Sequence, residues 1–245
     1  MPTIKNASVP KLAIATLGLV ALTSCFLWLA KHVLHQDLIT FDERTTAVFR
    51  DAANGAKSIG PPWLAEGVRD FTSLGSVTVS SLMVLLAVGF LLLQGLGGHA
   101  LFVAVCSAGS LALNSVLKIA IERPRPSAID VSPLVFTSSF PSGHAALSAA
   151  TYLSLAVVAS EWIDRGPARR YLFTAAIALT VLVGLSRVYL GLHRPTDVLA
   201  GWIIGLAWFL FTWLLAEALS IIGIRQNVSS PNDLSGLNAA TSHDS

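Results

Sequence analysis

The sequence predicts an all-α integral membrane protein, in which six transmembrane helices form a bundle and a helical extramembrane cap lies between the first two. Composition is the first observation: 53% of the 245 residues are hydrophobic and 12% are charged, whereas soluble domains carry about 25% charged residues. The second is that six apolar runs approach the roughly 20 residues that a helix needs to cross a bilayer. Helices are expected there because the hydrocarbon interior offers no water to backbone amides.

The six predicted spans follow one another within a single membrane-embedded domain, residues 1–225. They cover residues 12–30, 76–94, 100–117, 145–160, 171–190 and 198–216. The fourth run is short, and we expect its helix to begin earlier, near Ser142. The first run could instead be a secretory signal with a cleavage site at Cys25. A retained helix is favoured, because apolar residues continue through 26–29.

The connections between the runs carry most of the polar residues. Residues 31–75, which we call the cap segment, hold charges of both signs and short amphipathic turns, a pattern typical of surface helices. Residues 226–245 are rich in Ser, Asn, Gly and Asp, so we expect a disordered tail. Cys25 and Cys106 lie within apolar runs, which predicts neither a disulfide framework nor a thiolate metal site.

Counting spans assigns the connections to two membrane faces. The cap segment shares one face with the connections after the third and fifth spans, and both termini share the other face with the loop 161–170. Arg165, Arg169 and Arg170 in that loop predict a cytoplasmic position by the positive-inside tendency. We therefore expect cytoplasmic termini, an inner membrane of a bacterium, and a cap segment facing the periplasm or exterior.

The charge pattern argues against nucleic acid as a partner and does not bear on oligomeric state. The formal net charge is only +2, and aromatic residues are not interleaved with basic clusters, so nucleic acid binding is not expected. The lipid bilayer is the partner that the apolar runs predict. The sequence gives no indication of an oligomeric state.

Two polar segments on the predicted outer face carry an unusual set of ionisable residues: KIAIERPRP followed by SFPSGH, and SRVYLGLHRPTD. A single Arg or Lys at such a position is more often a residue whose charge snorkels to the headgroups. Together the two segments supply five cations, Lys118, Arg123, Arg125, Arg187 and Arg194. Three or more cations suit a tetrahedral dianion such as phosphate, because guanidinium groups donate in forked pairs and ammonium is compact. Ser142 and Gly143 add free amides at a helix start, although these two residues are also typical of an ordinary helix cap.

His193 and Asp197 are four residues apart at the start of the sixth span, where Pro195 suits the first helical turn. This spacing could place the carboxylate beside the imidazole, fixing its tautomer and stabilising its cationic form, as a nucleophilic histidine requires. The alternative is an ordinary His–Asp pair at the membrane interface. His144, at the start of another helix, would then be free to act as an acid.

Three motifs in this order resemble the signature of the type 2 phosphatidic acid phosphatase superfamily, which includes membrane lipid phosphatases and soluble vanadium haloperoxidases. They are Lys118, six residues, Arg125-Pro126; Pro141-Ser142-Gly143-His144; and Ser186-Arg187, five residues, His193, three residues, Asp197. The resemblance extends over about residues 70–216. IERPRP contains two Arg-Pro pairs, and only the six-residue spacing selects Arg125 over Arg123.

The resemblance implies a role for each matching residue. His193 would attack phosphorus and form a phosphohistidine, Asp197 would orient it, and His144 would protonate the leaving group. The phosphoryl oxygens would be held by the remaining polar groups, Lys118, Arg125, Ser142, Gly143 and Arg187. No metal or other cofactor is then required. Arg123 and Arg194 fall outside the signature, and we expect them to contact headgroups or only to snorkel.

The predicted activity is metal-independent hydrolysis of a lipid phosphate or lipid diphosphate, with release of inorganic phosphate at the outer face. One alternative keeps the site but transfers the phosphoryl group to another lipid or sugar. Another is a non-enzymatic channel or transporter that binds phosphate. A haloperoxidase is not expected, because those relatives are soluble. The sequence does not identify the lipid.

Overall fold

The described residues form eight helices. The computed structural model describes residues 9–52, 54–55, 57–125 and 138–221. The helices are α1 (Val9–Leu34), α2 (Ile39–Ala47), α3 (Pro62–Ser73), α4 (Val77–Leu93), α5 (Gly97–Ala120), α6 (Gly143–Ser160), α7 (Gly166–Tyr189) and α8 (Pro195–Ile221). A single antiparallel bridge joins Arg50 to Ser58 between α2 and α3. The predicted tail, residues 226–245, lies outside the described residues.

Five of these helices, α1, α5, α6, α7 and α8, are long and apolar enough to cross a membrane. The helices α3 and α4 qualify together as a sixth, broken span with a bend of 44°. The predicted all-α membrane fold is therefore confirmed, and the predicted second span corresponds to α4. The predicted extramembrane position of the cap segment stays a prediction.

Local sequence signals set several helix starts. Ser76 caps α4, because its hydroxyl accepts a hydrogen bond from the Val79 N–H at 3.2 Å. Proline opens α3 and α8, where its missing N–H has no helical partner to lose. The helix α6 begins at Gly143, directly after Ser142, as the short fourth run predicted.

The helix α6 lies against α5, α7 and α8, and small residues let α8 approach it closely. A Cβ atom added to Gly201 would lie 2.5 Å from the Ser142 carbonyl oxygen, and one added to Gly205 would lie 2.4 Å from the Ala146 carbonyl oxygen. Close backbone approach of this kind is how membrane helices gain packing contacts without a hydrophobic driving force. It fixes the start of α6 beside the start of α8.

Two tryptophans of α8 fasten it to the helices on either side. Trp202 packs over Gly184 of α7, and Trp208 packs over Gly109 of α5, each at a position where a Cβ atom would clash at 2.2 Å. Each indole N–H donates to the backbone carbonyl four residues before the glycine, at 3.1 Å. These contacts satisfy the indole donors inside the bundle.

The C-terminal half of α1 packs against α8 and the chain that precedes α6. Phe26, Leu29 and Val33 are buried in one cluster with Phe140 and Ile203. The Phe26 and Phe140 rings stack with centroids 6.0 Å apart. This packing supports the described residues 138–142, which lead directly into α6.

The segment between α2 and α3 docks on the C-terminal end of α7. Arg50 and the Ser58 hydroxyl both donate to the Tyr189 carbonyl, the latter at 2.8 Å. The Tyr189 hydroxyl donates in return to the Ile59 carbonyl at 2.6 Å. The cap segment therefore lies at the end of the bundle where α7 ends and α8 begins.

Candidate active site

The ends of α5 and α7 and the starts of α6 and α8 meet at one end of the bundle. The Ser142 N–H donates to the Asp197 carbonyl at 2.9 Å, and Arg125 donates to a carbonyl of the α7–α8 loop at 3.0 Å. The opposite end is marked by a contact of 2.8 Å between His99 Nε2 and Glu161 Oε2. The structure thus brings together the motifs that the count of spans assigned to one membrane face.

A tight turn carries His193 back toward α7. Gly191 has φ +70°, in the left-handed region that glycine adopts without steric cost. The N–H groups of Leu192 and His193 then both donate to the Arg187 carbonyl, at 3.0 and 3.3 Å. His193 and Arg187, six positions apart in the sequence, are therefore held side by side.

His193 is buried, with 2% of its side chain exposed, and Asp197 is fully buried beside it. His193 Nδ1 lies 3.6 Å from Asp197 Oδ2, within ion-pair distance, but Nδ1 has no hydrogen-bond partner among the described residues. The same carboxylate oxygen accepts the Arg194 N–H at 2.9 Å. Because the carboxylate faces Nδ1, the lone pair of Nε2 is the one directed away from it.

Burial lowers the pKa of His193 from its ordinary value to about 4. The carboxylate of Asp197 acts in the opposite direction, and the cations Arg187 and Arg125 lower the pKa further. At neutral pH the imidazole is therefore uncharged, and one ring nitrogen has a free lone pair.

Ser142 stands at the N-cap position of α6, but it does not cap the helix. Its hydroxyl makes no side-chain capping hydrogen bond and has no hydrogen-bond partner among the described residues, although it is fully buried. Buried hydroxyls without partners are costly. The interpretation of PSGH as an ordinary helix cap therefore does not fit this hydroxyl. A hydrogen bond from the hydroxyl to a bound ligand does.

Arg187 has a similar unused donor. Its NH1 group donates to Thr72 of α3 at 3.2 Å, whereas its Nε finds no partner in the described part of the chain. The Arg187 side chain is buried, so an unused charged donor is more costly than a neutral one. Ser142 and Arg187 together indicate a site for an anion.

Lys118 and Gly143 complete this side of the site. Lys118 Nζ donates to the Ser138 carbonyl at 2.6 Å, and a Cβ atom on Gly143 would lie 3.9 Å from Lys118 Cε. The same atom would lie 3.2 Å from Asn114 Oδ1, a tight contact. Buried Asn114 was not singled out from the sequence, since a lone amide in an apolar run gives no signal.

Like charges are concentrated around His144. It interacts electrostatically with Arg187, His193, Lys118 and Arg125. Burial lowers the pKa of Arg125, and Asp197 counteracts this. Within the described ranges, no group of three or more His, Cys, Asp or Glu side chains could hold a metal ion. The clustered arginine and lysine side chains are of the kind that suits phosphate oxygens.

The prediction that Arg123 contacts headgroups or snorkels is wrong. Its side chain is only 9% exposed and lies between two buried carboxylates, 2.8 Å from Asp42 and 2.5 Å from Asp197. The reason is that α2 brings Asp42 over the start of α8. No spacing in the sequence indicates these two contacts, because the partners of Arg123 lie 81 and 74 residues away.

Arg194, the second cation outside the signature, contributes through its backbone. Its N–H holds Asp197, as described above, and its guanidinium donates to the Pro124 carbonyl at 2.7 Å. Burial lowers the pKa of this guanidinium. Contact of its charge with headgroups stays a prediction.

Comparison with known proteins decides the family. A family model described as the PAP2 superfamily matches residues 99–220. Phosphatidylglycerophosphatase B of Bacillus subtilis (strain 168) is 37% identical over 161 residues, which cover 64% of this chain and 77% of that protein. The chain belongs to the PAP2 superfamily. The resemblance carried by the three motifs is thereby confirmed.

Other PAP2-like proteins extend the comparison to structure. An undecaprenyl-diphosphatase of Sulfolobus acidocaldarius is 37% identical over 80 residues, which cover 33% of this chain and 34% of that protein. The crystal structure of a transmembrane PAP2-type phosphatidylglycerolphosphate phosphatase from Bacillus subtilis superposes with a TM-score of 0.68 at 29% identity. That match covers 84% of this chain and 98% of the other. The chain is an integral membrane protein of the same fold.

Proposed function

We propose that this chain is a metal-independent phosphatase that hydrolyses a lipid phosphate or lipid diphosphate through a phosphohistidine intermediate. The observation that carries the proposal is His193, a buried and uncharged imidazole backed by Asp197 among the cations Lys118, Arg125 and Arg187. Membership of the PAP2 superfamily and the names of the relatives, a phosphatidylglycerophosphatase and an undecaprenyl-diphosphatase, support the same reaction.

In the first step, Nε2 of His193 attacks phosphorus with its lone pair, and the bond from phosphorus to the lipid oxygen breaks. His144 donates a proton to that oxygen, which leaves as an alcohol, or as a lipid phosphate when the substrate is a diphosphate. Asp197 stabilises the positive charge that develops on the imidazole and keeps a proton on Nδ1. The products of this step are the dephosphorylated lipid and phosphohistidine.

In the second step, water attacks the phosphohistidine. His144, now neutral, takes a proton from the water, the phosphorus–nitrogen bond breaks, and its electron pair returns to Nε2 of His193. Inorganic phosphate then leaves. Both histidines end in the protonation states in which they began.

The anion-binding groups lower the barrier of both steps. Lys118, Arg125 and Arg187 neutralise charge on the phosphoryl oxygens, while the Ser142 hydroxyl and the Gly143 amide donate to them. Loss of one preorganised donor of this kind in other enzymes costs about 3 kcal/mol of transition-state stabilisation. The unpartnered hydroxyl of Ser142 is available for this role.

Phosphatidylglycerol phosphate is the first substrate to test. The relative and the crystal structure that share most of their length with this chain are both named for it. Other lipid phosphates and diphosphates present the same terminal phosphate, so they belong in the same assay. Phosphoryl transfer to another lipid or sugar, and phosphate binding without reaction, are the two alternatives.

The proposal includes an arrangement in the membrane. Residues 1–225 form one membrane-embedded domain in a bacterial inner membrane, with both termini in the cytoplasm. The active site and the cap segment face the periplasm or exterior. Three arginines in the loop 161–170 support this orientation.

The decisive experiment compares wild-type protein with His193→Ala in detergent micelles. Inorganic phosphate release is measured from phosphatidylglycerol phosphate, phosphatidic acid, undecaprenyl diphosphate and lipid A. We expect wild type to release phosphate from at least one lipid and His193→Ala to release none, because the nucleophile is missing. Glu161→Gln is the matched control, since it removes a charged contact at the opposite end of the bundle and should keep full activity.

The alternatives give different results in the same assay. Unchanged turnover in His193→Ala contradicts the assigned nucleophile. With a lipid substrate labelled on its terminal phosphate, a transferase consumes the lipid phosphate without releasing free phosphate. The label then appears on an added alcohol acceptor. Binding of phosphate by wild type without turnover of any lipid identifies a binding protein.

A further inference from the structure

A buried carboxylate outside the three motifs lies directly behind the active site. Asp42 of α2 is 0% exposed. Its Oδ1 accepts the Thr196 N–H at 3.0 Å, and its Oδ2 accepts the Thr196 hydroxyl at 2.7 Å and an N–H of Arg123 at 2.8 Å. A carboxylate this deep is stable only when its charge is paired and its oxygens are hydrogen-bonded. Asp42 meets both conditions through Thr196 and Arg123.

Arg123 links this carboxylate to the one that faces the nucleophile. One end of its guanidinium donates to Asp42 Oδ2, and the other donates to Asp197 Oδ1 and to the Thr196 hydroxyl. The guanidinium is planar and its donors have fixed directions. The position of Asp42 therefore determines where Arg123 can hold Asp197.

Asp197 is in turn held by both of its oxygens. Oδ1 accepts from Arg123, and Oδ2 accepts the Arg194 N–H while lying 3.6 Å from His193 Nδ1. Two hydrogen bonds from opposite sides restrain rotation of the carboxylate about its Cβ–Cγ bond. Without Arg123, only the contact with the backbone of Arg194 would keep Oδ2 directed at the imidazole.

We propose that Asp42 and Arg123 are positioning residues of the reaction, in which Asp42 fixes Arg123 and Arg123 fixes the carboxylate of Asp197 against His193. This inference rests on the proposed function, because it takes His193 as the nucleophile. The donors of Arg123 point to Asp42, Thr196 and Asp197, and we assign neither Asp42 nor Arg123 a contact with the phosphoryl group. Their effect on the reaction is exerted through Asp197 alone.

A purely structural role is the competing explanation, since the same contacts fasten α2 to the start of α8. The two explanations differ in what a substitution changes. A fastening contact affects the fraction of folded protein and leaves kcat of the folded fraction intact. A positioning contact lowers kcat at equal folded fraction and leaves KM nearly unchanged, because the phosphate-binding cations are not disturbed.

The test uses full-length protein in detergent micelles with phosphatidylglycerol phosphate, or with whichever lipid of the panel wild type hydrolyses fastest. The variants are Asp42→Asn, Arg123→Ala, Arg123→Lys and the double variant of Asp42→Asn with Arg123→Ala. Glu161→Gln is the control, because it breaks a charged contact of 2.8 Å away from the site. Thermal unfolding gives the folded fraction of each protein.

We expect kcat to fall about 10- to 100-fold in Asp42→Asn and in Arg123→Ala, the range found for outer partners of functional histidines at metal sites. KM should stay within about threefold of wild type. The double variant should lose no more than Arg123→Ala alone, because both residues act through one contact. Arg123→Lys keeps a cation without the fork, so it should retain more activity than Arg123→Ala.

Several results would overturn the inference. The first is a kcat within twofold of wild type in both Asp42→Asn and Arg123→Ala. The second is a change in these variants that is confined to KM. The third is an equal loss of kcat in the control Glu161→Gln. If Asp42→Asn does not fold, equal kcat values for Arg123→Lys and Arg123→Ala overturn it. Failure of the proposed function itself looks different, because wild type would then be inactive or His193→Ala would remain active.

Discussion

At the scale of single residues, the charges around His193 match those of the proposed substrate. Lys118, Arg125 and Arg187 are joined by Arg123, and two carboxylates, those of Asp42 and Asp197, oppose the four cations. With His193 neutral, these six groups have a formal charge of +2, not counting the proton that His144 donates to the leaving group. A phosphate monoester carries close to two negative charges at pH 7. Binding of the substrate therefore neutralises the site rather than adding a net charge to it.

The hydroxyl of Ser142 separates two interpretations at this scale. Because it has no partner among the described residues and does not cap α6, we expect Ser142→Ala to lower kcat/KM at least 10-fold, through loss of a donor to the phosphoryl oxygens. Its thermal unfolding midpoint should not fall, since the variant removes a buried unsatisfied hydroxyl.

Ser76→Ala is the matched control for Ser142→Ala. The Ser76 hydroxyl does cap a helix, so its removal should cost about 1 kcal/mol of stability and leave kcat/KM unchanged. A drop in unfolding midpoint for Ser142→Ala with unchanged kcat/KM would show instead that Ser142 is an ordinary cap.

At the scale of elements, the contact between α6 and α8 determines how the two halves of the site meet. Gly201 lies against the Ser142 carbonyl, and Ser142 in turn donates its N–H to the Asp197 carbonyl. The start of α6, which carries the proposed phosphate-binding groups, and the start of α8, next to the proposed nucleophile, are therefore joined backbone to backbone. Side-chain adjustment cannot absorb a change there.

Gly201→Ala tests this contact. The new Cβ atom would stand 2.5 Å from a backbone oxygen, so α6 and α8 must separate, at a cost of about 1 to 3 kcal/mol. We expect at least a 10-fold loss of kcat/KM and a lower unfolding midpoint. Gly89→Ala on α4 is the control, because no atom of the described residues lies within 4 Å of its Cβ position and alanine favours helix. Equal behaviour of the two variants would contradict a close α6–α8 contact.

At the scale of the whole molecule, the orientation in the membrane can be measured with single cysteines. In a background of Cys25→Ala and Cys106→Ala, Lys57→Cys reports on the cap segment and Asp164→Cys on the opposite end, and both native side chains are exposed. We expect a membrane-impermeant maleimide to label Lys57→Cys in intact spheroplasts and Asp164→Cys only after lysis. The reverse pattern would mean that the site faces the cytoplasm.

The sequence predicted what is encoded locally. Apolar run length predicted the spans, and Pro195 predicted where α8 begins. The contacts of Asp42 could not be predicted from the sequence. A single polar residue in a segment of mixed composition has no periodic pattern, and the partners of Asp42 lie up to 154 residues away. The bend between α3 and α4 was also missed, since a span was inferred only from continuous apolar length.

The glycines on α8 also restrict how a lipid can reach His193. Gly201 and Gly205 bring the backbones of α8 and α6 into contact. At that level there is no gap between the two helices through which an acyl chain could pass. A substrate that arrives from within the bilayer has to pass between other helices.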